Sequence, residues 1–105
     1  MADRSRADGE IETAEMRRLR RKIDALDRKI VGLLNERAEL GREVGRAKAS
    51  AGRRTIRDAE REREVLLRVT MANTGPMPQA DLLAVYRRLI AVARSLEGHD
   101  RDRRG

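Results

Sequence analysis

The hydrophobic residues in the first half of the chain recur three and four positions apart, in a heptad pattern. This spacing is typical of a helix that packs one continuous seam against another helix. It predicts one long helix over residues 13–50, ended by the stretch "ASAGRRT" with Gly52 as a C-terminal cap. The seam positions are Met16, Leu19, Ile23, Leu26, Ile30, Leu33, Arg37, Leu40, Val44 and Ala47.

Two shorter helices are predicted in the second half. Thr55 and Asp58 have the spacing of a capping box, which starts a helix near Thr55. The segment "NTGPMP" at residues 73–78 contains two prolines and a glycine and is predicted to be a loop. A third helix is expected over residues 79–97, with Gly98 ending it. With no strand pattern, the fold class is all-α, with one long and two short helices.

The predicted long helix requires a partner. At 1.5 Å per residue it would be roughly 55 Å long, whereas each short helix would reach only about 28 Å. An apolar seam of that length left uncovered favours association with another chain. A homodimer in which the two long helices run together is the simplest arrangement.

At 105 residues the chain is expected to form one domain at most, over residues 13–97, between a flexible segment at 1–12 and a polar tail at 98–105. Cysteine is absent, which excludes disulfides and thiolate metal sites and fits a reducing cytoplasm. No apolar run is long enough to cross a membrane. The first ten residues lack the apolar core of a signal peptide. The expected location is cytoplasmic.

The net charge is +7, and the basic residues concentrate in the centre of the chain. A basic centre indicates an anionic partner or ligand. Nucleic acid is the first class to consider, but Tyr86 is the only aromatic residue available for stacking on bases, and no zinc-finger or RNA-recognition motif occurs. A small polyanionic metabolite remains.

Two cations on the long helix lie where the seam predicts apolar contacts. Arg37 occupies a seam position, and Lys48 shares its face about 16 Å further along the axis. Gly41 lies between them and leaves room for a small ligand. The ordinary alternative is that Arg37 extends its guanidinium to solvent or pairs with an acid.

Further charged residues share faces with these positions. Asp58, Arg61 and Glu62 fall on one face of the second helix, where a capping role and a surface ion pair are the ordinary alternatives. Glu97 continues an apolar stripe of the third helix, unless it is only a frayed helix end. Arg20 precedes Arg37 by about 25 Å along the helix, so it can reach the same ligand only from the partner of an antiparallel dimer.

The stretches "LRRKIDALD", "LLNERAEL", "EVGRAK" and "IRDAERE", followed by the third helix, resemble the all-helical (AroQ-type) chorismate mutases over residues 16–97. The resemblance implies an intertwined homodimeric helical bundle with two equivalent active sites. It implies rearrangement of chorismate to prephenate, on the route to phenylalanine and tyrosine, without a metal or a cofactor.

The resemblance also assigns roles to the charged residues. Arg37 would bind one substrate carboxylate, and Arg20 of the other subunit would bind the second. Lys48 would donate a hydrogen bond to the breaking ether oxygen, with Glu97 as a second donor. Only a protonated carboxyl group can donate such a bond.

Four further positions complete the implied substrate site. Glu62 would accept a hydrogen bond from the substrate hydroxyl, and Asp58 would place its backbone N–H near that group. Arg61 would reinforce carboxylate binding. Ala93 stands where many family members have serine, so one substrate contact is expected to be missing.

Two alternatives stay open. A related enzyme could act on isochorismate or 4-amino-4-deoxychorismate with a similar pocket. An arginine-rich helical module that binds nucleic acid or protein fits the charge, although Arg37 and Lys48 face the seam. The "NTGPMP" loop and the ending "ARSLE" also resemble mutase domains fused to enzymes at the entry of aromatic biosynthesis, which leaves a partner synthase open.

Overall fold

Three helices account for most of the protein in this computed structural model, which describes residues 11–54 and 57–104. Helix α1 spans Ala14–Ser50, α2 spans Ala59–Ala72 and α3 spans Gln79–Arg104. The described ranges contain no strand, and none of their helices is long and apolar enough to cross a membrane. The all-α prediction, with one long and two shorter helices, is confirmed.

The chain divides into two units, one up to Asn35 and the other from Glu36 onward. In the first unit, the Thr13 side-chain oxygen accepts a hydrogen bond from the Met16 backbone N–H at 3.1 Å and caps the start of α1. The apolar seam of this unit lies open, with Ile23 55% and Leu33 62% exposed. The seam predicted from the sequence therefore has no cover within its own unit.

Helix α1 ends in the second unit as the sequence predicts. Gly52 has a positive φ of 79°, a conformation that glycine adopts without steric cost. The Arg53 N–H donates to the Lys48 carbonyl at 2.9 Å, and the Gly52 N–H donates to the Ala49 carbonyl at 3.0 Å. This pair of hydrogen bonds is a Schellman cap.

The predicted start of α2 near Thr55 is wrong. The helix begins at Ala59, because Asp58 has extended backbone angles (φ −120°, ψ 91°) and acts as the N-cap. Its side chain accepts a hydrogen bond from the Arg61 N–H at 3.0 Å. Asp58 therefore caps the helix itself, instead of lying in a first turn capped by Thr55. The proposed partner Thr55 lies outside the described residues.

The second unit is built by α2 and α3 packing together, with the second half of α1 close to α3. Ile90 of α3 is buried at 9% exposure. A Cβ atom placed on Gly41 would lie 3.6 Å from Cβ of Ala93, so the two helices approach closely there. The predicted loop at 73–78 is confirmed by the adjoining helix ends.

Helix α3 does not end at Gly98 as predicted but continues to Arg104. A glycine inside a helix costs about 1 kcal/mol relative to alanine, so other contacts must hold this extension. The Asp100 carboxylate accepts two hydrogen bonds from the Arg42 guanidinium, at 2.9 and 3.0 Å. Arg101 donates to backbone carbonyls of the segment that follows α1. The predicted polar tail at 98–105 is thus helical through residue 104.

The contact between Arg42 and Asp100 is expected to make the stability of the folded state depend on pH. Hydrogen bonds from Arg42 lower the pKa of Asp100 below its usual 3.8. A lowered pKa stabilises the folded state above pH 3.8, and this contribution is lost as pH falls through the lowered pKa. We therefore expect Asp100→Asn to lower the urea midpoint at pH 7 and the difference from wild type to disappear in acid.

The measurement is urea unfolding at one fixed protein concentration, at several pH values from neutral to strongly acid. Asp102→Asn is the matched control, because Asp102 is exposed on the same turn. Equal midpoints for wild type and Asp100→Asn at neutral pH would contradict the prediction.

Candidate active site

A solvent-accessible cavity of about 320 Å³ lies in the second unit, with walls from the second half of α1, the start of α2 and the C-terminal half of α3. This volume suits a small metabolite. Six of the residues predicted from the sequence line it, and they come from all three helices and the N-cap of α2. They are Arg37, Asp58, Arg61, Glu62, Ala93 and Glu97.

Lys48 joins the site through an ion pair with Glu97. Its Nζ lies 3.1 Å from Oε2 and donates a hydrogen bond to Oε1 at 3.3 Å. The two side chains are only 10% and 8% exposed. Oε2 receives no aligned hydrogen bond from the described residues, although it lies close to the ammonium group. Glu97 is therefore an integral part of the site, not a frayed helix end.

Glycine at position 45 makes room for this pair. A Cβ atom placed on Gly45 would lie 2.8 Å from Cγ of Glu97, closer than real Cβ contacts. The absence of a side chain therefore lets Glu97 lie directly against the backbone of α1. Gly41 was predicted from the sequence to leave room for a ligand, whereas Gly45, which lies one turn later on the same face, was not predicted.

Two arginines contact the carboxylate of Glu62. Arg94 Nη1 donates to Oε2 at 2.7 Å, and Arg57 Nε lies 3.4 Å from Oε1. The Glu62 side chain is 16% exposed. Arg94 was not predicted, although its position four residues after Ile90 and three before Glu97 places it on the cavity face of α3.

Two of the cavity arginines, Arg37 and Arg61, differ in their surroundings. Arg37 is half-buried, with its guanidinium 5.7 Å from the ring centroid of Tyr86, within cation–π range. Arg61 is 55% exposed and lies 3.3 Å from a Glu64 carboxylate oxygen. Arg37 thus lies in the wall of the cavity, whereas Arg61 lies at its rim. The surface ion pair between Arg61 and Glu64 contributes little to stability.

Asp58 remains charged at the rim of the cavity. The hydrogen bond from the Arg61 backbone N–H is the main cause that lowers its pKa, and the charges of Arg53 and Lys48 act in the same direction. Burial acts in the opposite direction but is the weaker effect overall. The side chain is committed to capping α2.

Arg20 belongs to the first unit, where its Nη1 lies 2.8 Å from Oε1 of Glu12 and its side chain is 62% exposed. Its predicted role in a site shared between subunits stays a prediction. Among the described residues, no group of three or more acidic or histidine side chains is arranged to hold a metal ion.

The arrangement defines an all-helical domain with a cavity lined by arginine and carboxylate side chains from all three helices. A model of the family "chorismate mutase type II" matches residues 19–98, so the chain belongs to that family. The resemblance recognised in the sequence is confirmed.

Similarity to individual proteins agrees with this assignment. A structure of chorismate mutase (form II) from Thermus thermophilus matches with a TM-score of 0.74 and 31% identity, covering 80% of this chain and 94% of that one. The bifunctional chorismate mutase/prephenate dehydratase of Aquifex aeolicus is 39% identical over 87 residues, which is 79% of this chain. The protein of the same name from Escherichia coli K12 is 53% identical over 51 residues, or 49% of this chain. The chain spans only 24% and 13% of these two relatives.

Proposed function

We propose that the protein is a chorismate mutase, which rearranges chorismate to prephenate within a composite site of a homodimer. The observation that carries this proposal is the buried pair of Lys48 and Glu97 beside a cavity that also contains Arg37. A dicarboxylate with an ether oxygen requires cations for its carboxylates and a donor for the oxygen. The family to which the chain belongs supplies the reaction.

Binding is assigned first to the arginines. Arg37 takes one carboxylate of chorismate, because a guanidinium binds a carboxylate through two parallel hydrogen bonds. Arg20 of the partner subunit takes the other carboxylate, and Arg61 at the rim reinforces this binding. Together they hold the enolpyruvyl chain folded over the ring, which lowers the entropic part of the barrier.

The chemical step is assigned to Lys48. In a Claisen rearrangement the C–O bond breaks while a C–C bond forms within the same molecule, so no proton or covalent intermediate is required. Negative charge builds on the ether oxygen, and the Lys48 ammonium, whose side chain is only 10% exposed, stabilises that charge. Glu97 accepts a hydrogen bond from Lys48 and fixes the ammonium in place, while its role as a second donor would require a proton on its carboxyl group.

Glu62 is assigned to the substrate hydroxyl. Its carboxylate accepts hydrogen bonds, and its contacts with Arg94 and Arg57 fix its orientation. Asp58 contributes its backbone N–H nearby. Ala93 offers only a methyl group at the position where serine would add a contact, which predicts weaker substrate binding without loss of the cations.

The homodimer is supported by the apolar surface that each unit leaves exposed. In the first unit, large apolar side chains repeat along one helix. They are Leu19, Ile23, Leu26, Ile30, Val31, Leu33 and Leu34, at 38–62% exposure. Ile90 is the only buried large apolar residue among those described. A chain with so small a core requires a partner to bury these faces.

The function predicts that purified protein removes chorismate, as followed by its ultraviolet absorbance, and that prephenate forms in equal amount by NMR. The uncatalysed rearrangement is subtracted with a protein-free sample. Isochorismate and 4-amino-4-deoxychorismate are tested under the same conditions. Turnover of either analogue without turnover of chorismate would overturn the proposed substrate and retain the family.

A further inference from the structure

The last turns of α3 lie beyond the region that defines the family, since the family match ends at residue 98. These turns nevertheless contact α1, the segment that follows it, and Glu97. Asp100 accepts two hydrogen bonds from Arg42 of α1. Arg101 contacts the segment that follows α1 and also approaches Glu97. The extension is therefore packed against the elements that carry the site.

Three contacts converge on the Arg101 guanidinium. Nη1 donates to the Arg54 carbonyl at 2.6 Å, and Nη2 donates to the Arg53 carbonyl at 3.0 Å. The same Nη2 lies 3.6 Å from Oε2 of Glu97. The Arg101 side chain is only 21% exposed. A planar guanidinium offers two parallel donors to neighbouring carbonyls, whereas the compact ammonium of a lysine lacks this fork.

The charges of this cluster determine what Lys48 offers to a ligand. Lys48 and Glu97 alone form a neutral pair, and the carboxylate offsets most of the ammonium charge. Arg101 adds a second cation to the same carboxylate, so the three groups together carry one positive charge. Charge interactions are strong in a site this poorly exposed to water. Glu97 therefore neutralises the positive charge of Lys48 less completely, and the ammonium attracts an oxygen in the cavity more strongly.

The carbonyl contacts hold a second segment, the backbone that follows the cap of α1. Arg53 and Arg54 directly follow the cap of α1 and precede Asp58, the N-cap of α2. The two hydrogen bonds from Arg101 therefore fix the backbone directly after the cap of α1.

We propose that Arg101 is a positioning residue of the active site, which balances the charge of Glu97 and anchors the backbone of Arg53 and Arg54 after the cap of α1. The inference rests on the proposed function for its catalytic consequence. Arg101 need not touch the substrate, because it acts through Glu97 and through the two carbonyls.

The kinetic test compares Arg101→Met, Arg101→Lys and the control Arg103→Met with wild type. Methionine keeps much of the length without charge, and lysine keeps the charge without the planar fork. We expect roughly a tenfold loss of kcat for Arg101→Met, smaller than for loss of a direct donor. Arg101→Lys should lose about threefold, because the charge near Glu97 persists. Arg103 is exposed on the same turn, and its variant should match wild type.

Two kinetic outcomes would overturn the proposal. One is wild-type kcat in Arg101→Met. The other is an equal loss of kcat in the methionine and lysine variants, which would show that the charge of residue 101 does not affect catalysis. Circular dichroism identifies a variant that fails to fold. If Arg101→Met fails to fold, the kcat of Arg101→Lys is compared with that of Arg103→Met, and equal values would overturn the proposal.

Hydrogen exchange tests the anchor without any substrate. The Gly52 and Arg53 amides close the cap of α1 beside the carbonyls that Arg101 binds. They should exchange faster in both Arg101 variants than in Arg103→Met. Unchanged exchange would overturn the anchoring role. Faster exchange in a protein without chorismate turnover would retain the anchor and overturn the proposed function alone.

Discussion

Replacing Lys48 with alanine is expected to lower kcat by at least about 10²-fold, which is the effect of removing a donor aimed at developing charge. The ammonium is the group assigned to the ether oxygen, and it lies buried beside Glu97. The free energy lost should appear in kcat, because the interaction strengthens as the C–O bond breaks. Steady-state kinetics with chorismate measures this directly.

Arg46→Ala is the matched control for this experiment. Arg46 lies two residues before Lys48 on α1, but it is 45% exposed and lies 3.5 Å from a Glu39 oxygen. Its loss should leave kcat unchanged. A Lys48→Ala enzyme with near-normal kcat and a strongly raised KM would mean that Lys48 binds the ground state only, and the assignment to the ether oxygen would be wrong.

Mixing two inactive variants should restore activity if each site takes Arg37 from one subunit and Arg20 from the other. Arg20→Ala and Arg37→Ala each remove a carboxylate contact, and each should lose on the order of 10²-fold in kcat/KM. After subunit exchange, a heterodimer has one site with both arginines and one with neither. Random exchange should return about a quarter of wild-type activity.

The control is Arg20→Ala mixed with a tagged copy of itself, which should stay inactive under identical exchange conditions. The tag also allows the heterodimer fraction to be measured by mass. Persistent inactivity with heterodimers present would show that Arg20 does not complete the partner's site. Absence of any dimer would overturn the composite site directly.

Local sequence signals predicted most of the fold. The heptad pattern and the Gly52 cap predicted a helix over residues 13–50, and α1 spans Ala14–Ser50, because both signals are encoded within neighbouring residues. The loop at 73–78 was equally clear from its prolines and glycine. Cavity residues such as Arg37 and Glu97 could be found because they interrupt apolar stripes.

Contacts between distant parts of the chain explain what the sequence did not reveal. Helix α3 passes Gly98 because Arg42 and Asp100, 58 positions apart, hold the extension. Arg94 shares a helix face with Ile90 and Glu97, but its partner Glu62 belongs to another helix. No periodicity in one helix encodes such a pairing, since the partner is defined only when the helices pack.

The contact between Gly45 and Glu97 implies a constraint on how sequences of this fold can diverge. Because the glutamate occupies the space where a side chain at position 45 would begin, the two positions cannot change independently. A lineage that acquires alanine at position 45 must also shorten or redirect residue 97, and with it the partner of Lys48. The glycine thus links the spacing of two helices to the residue that pairs with Lys48, so that a substitution at position 45 restricts which residues position 97 can accept.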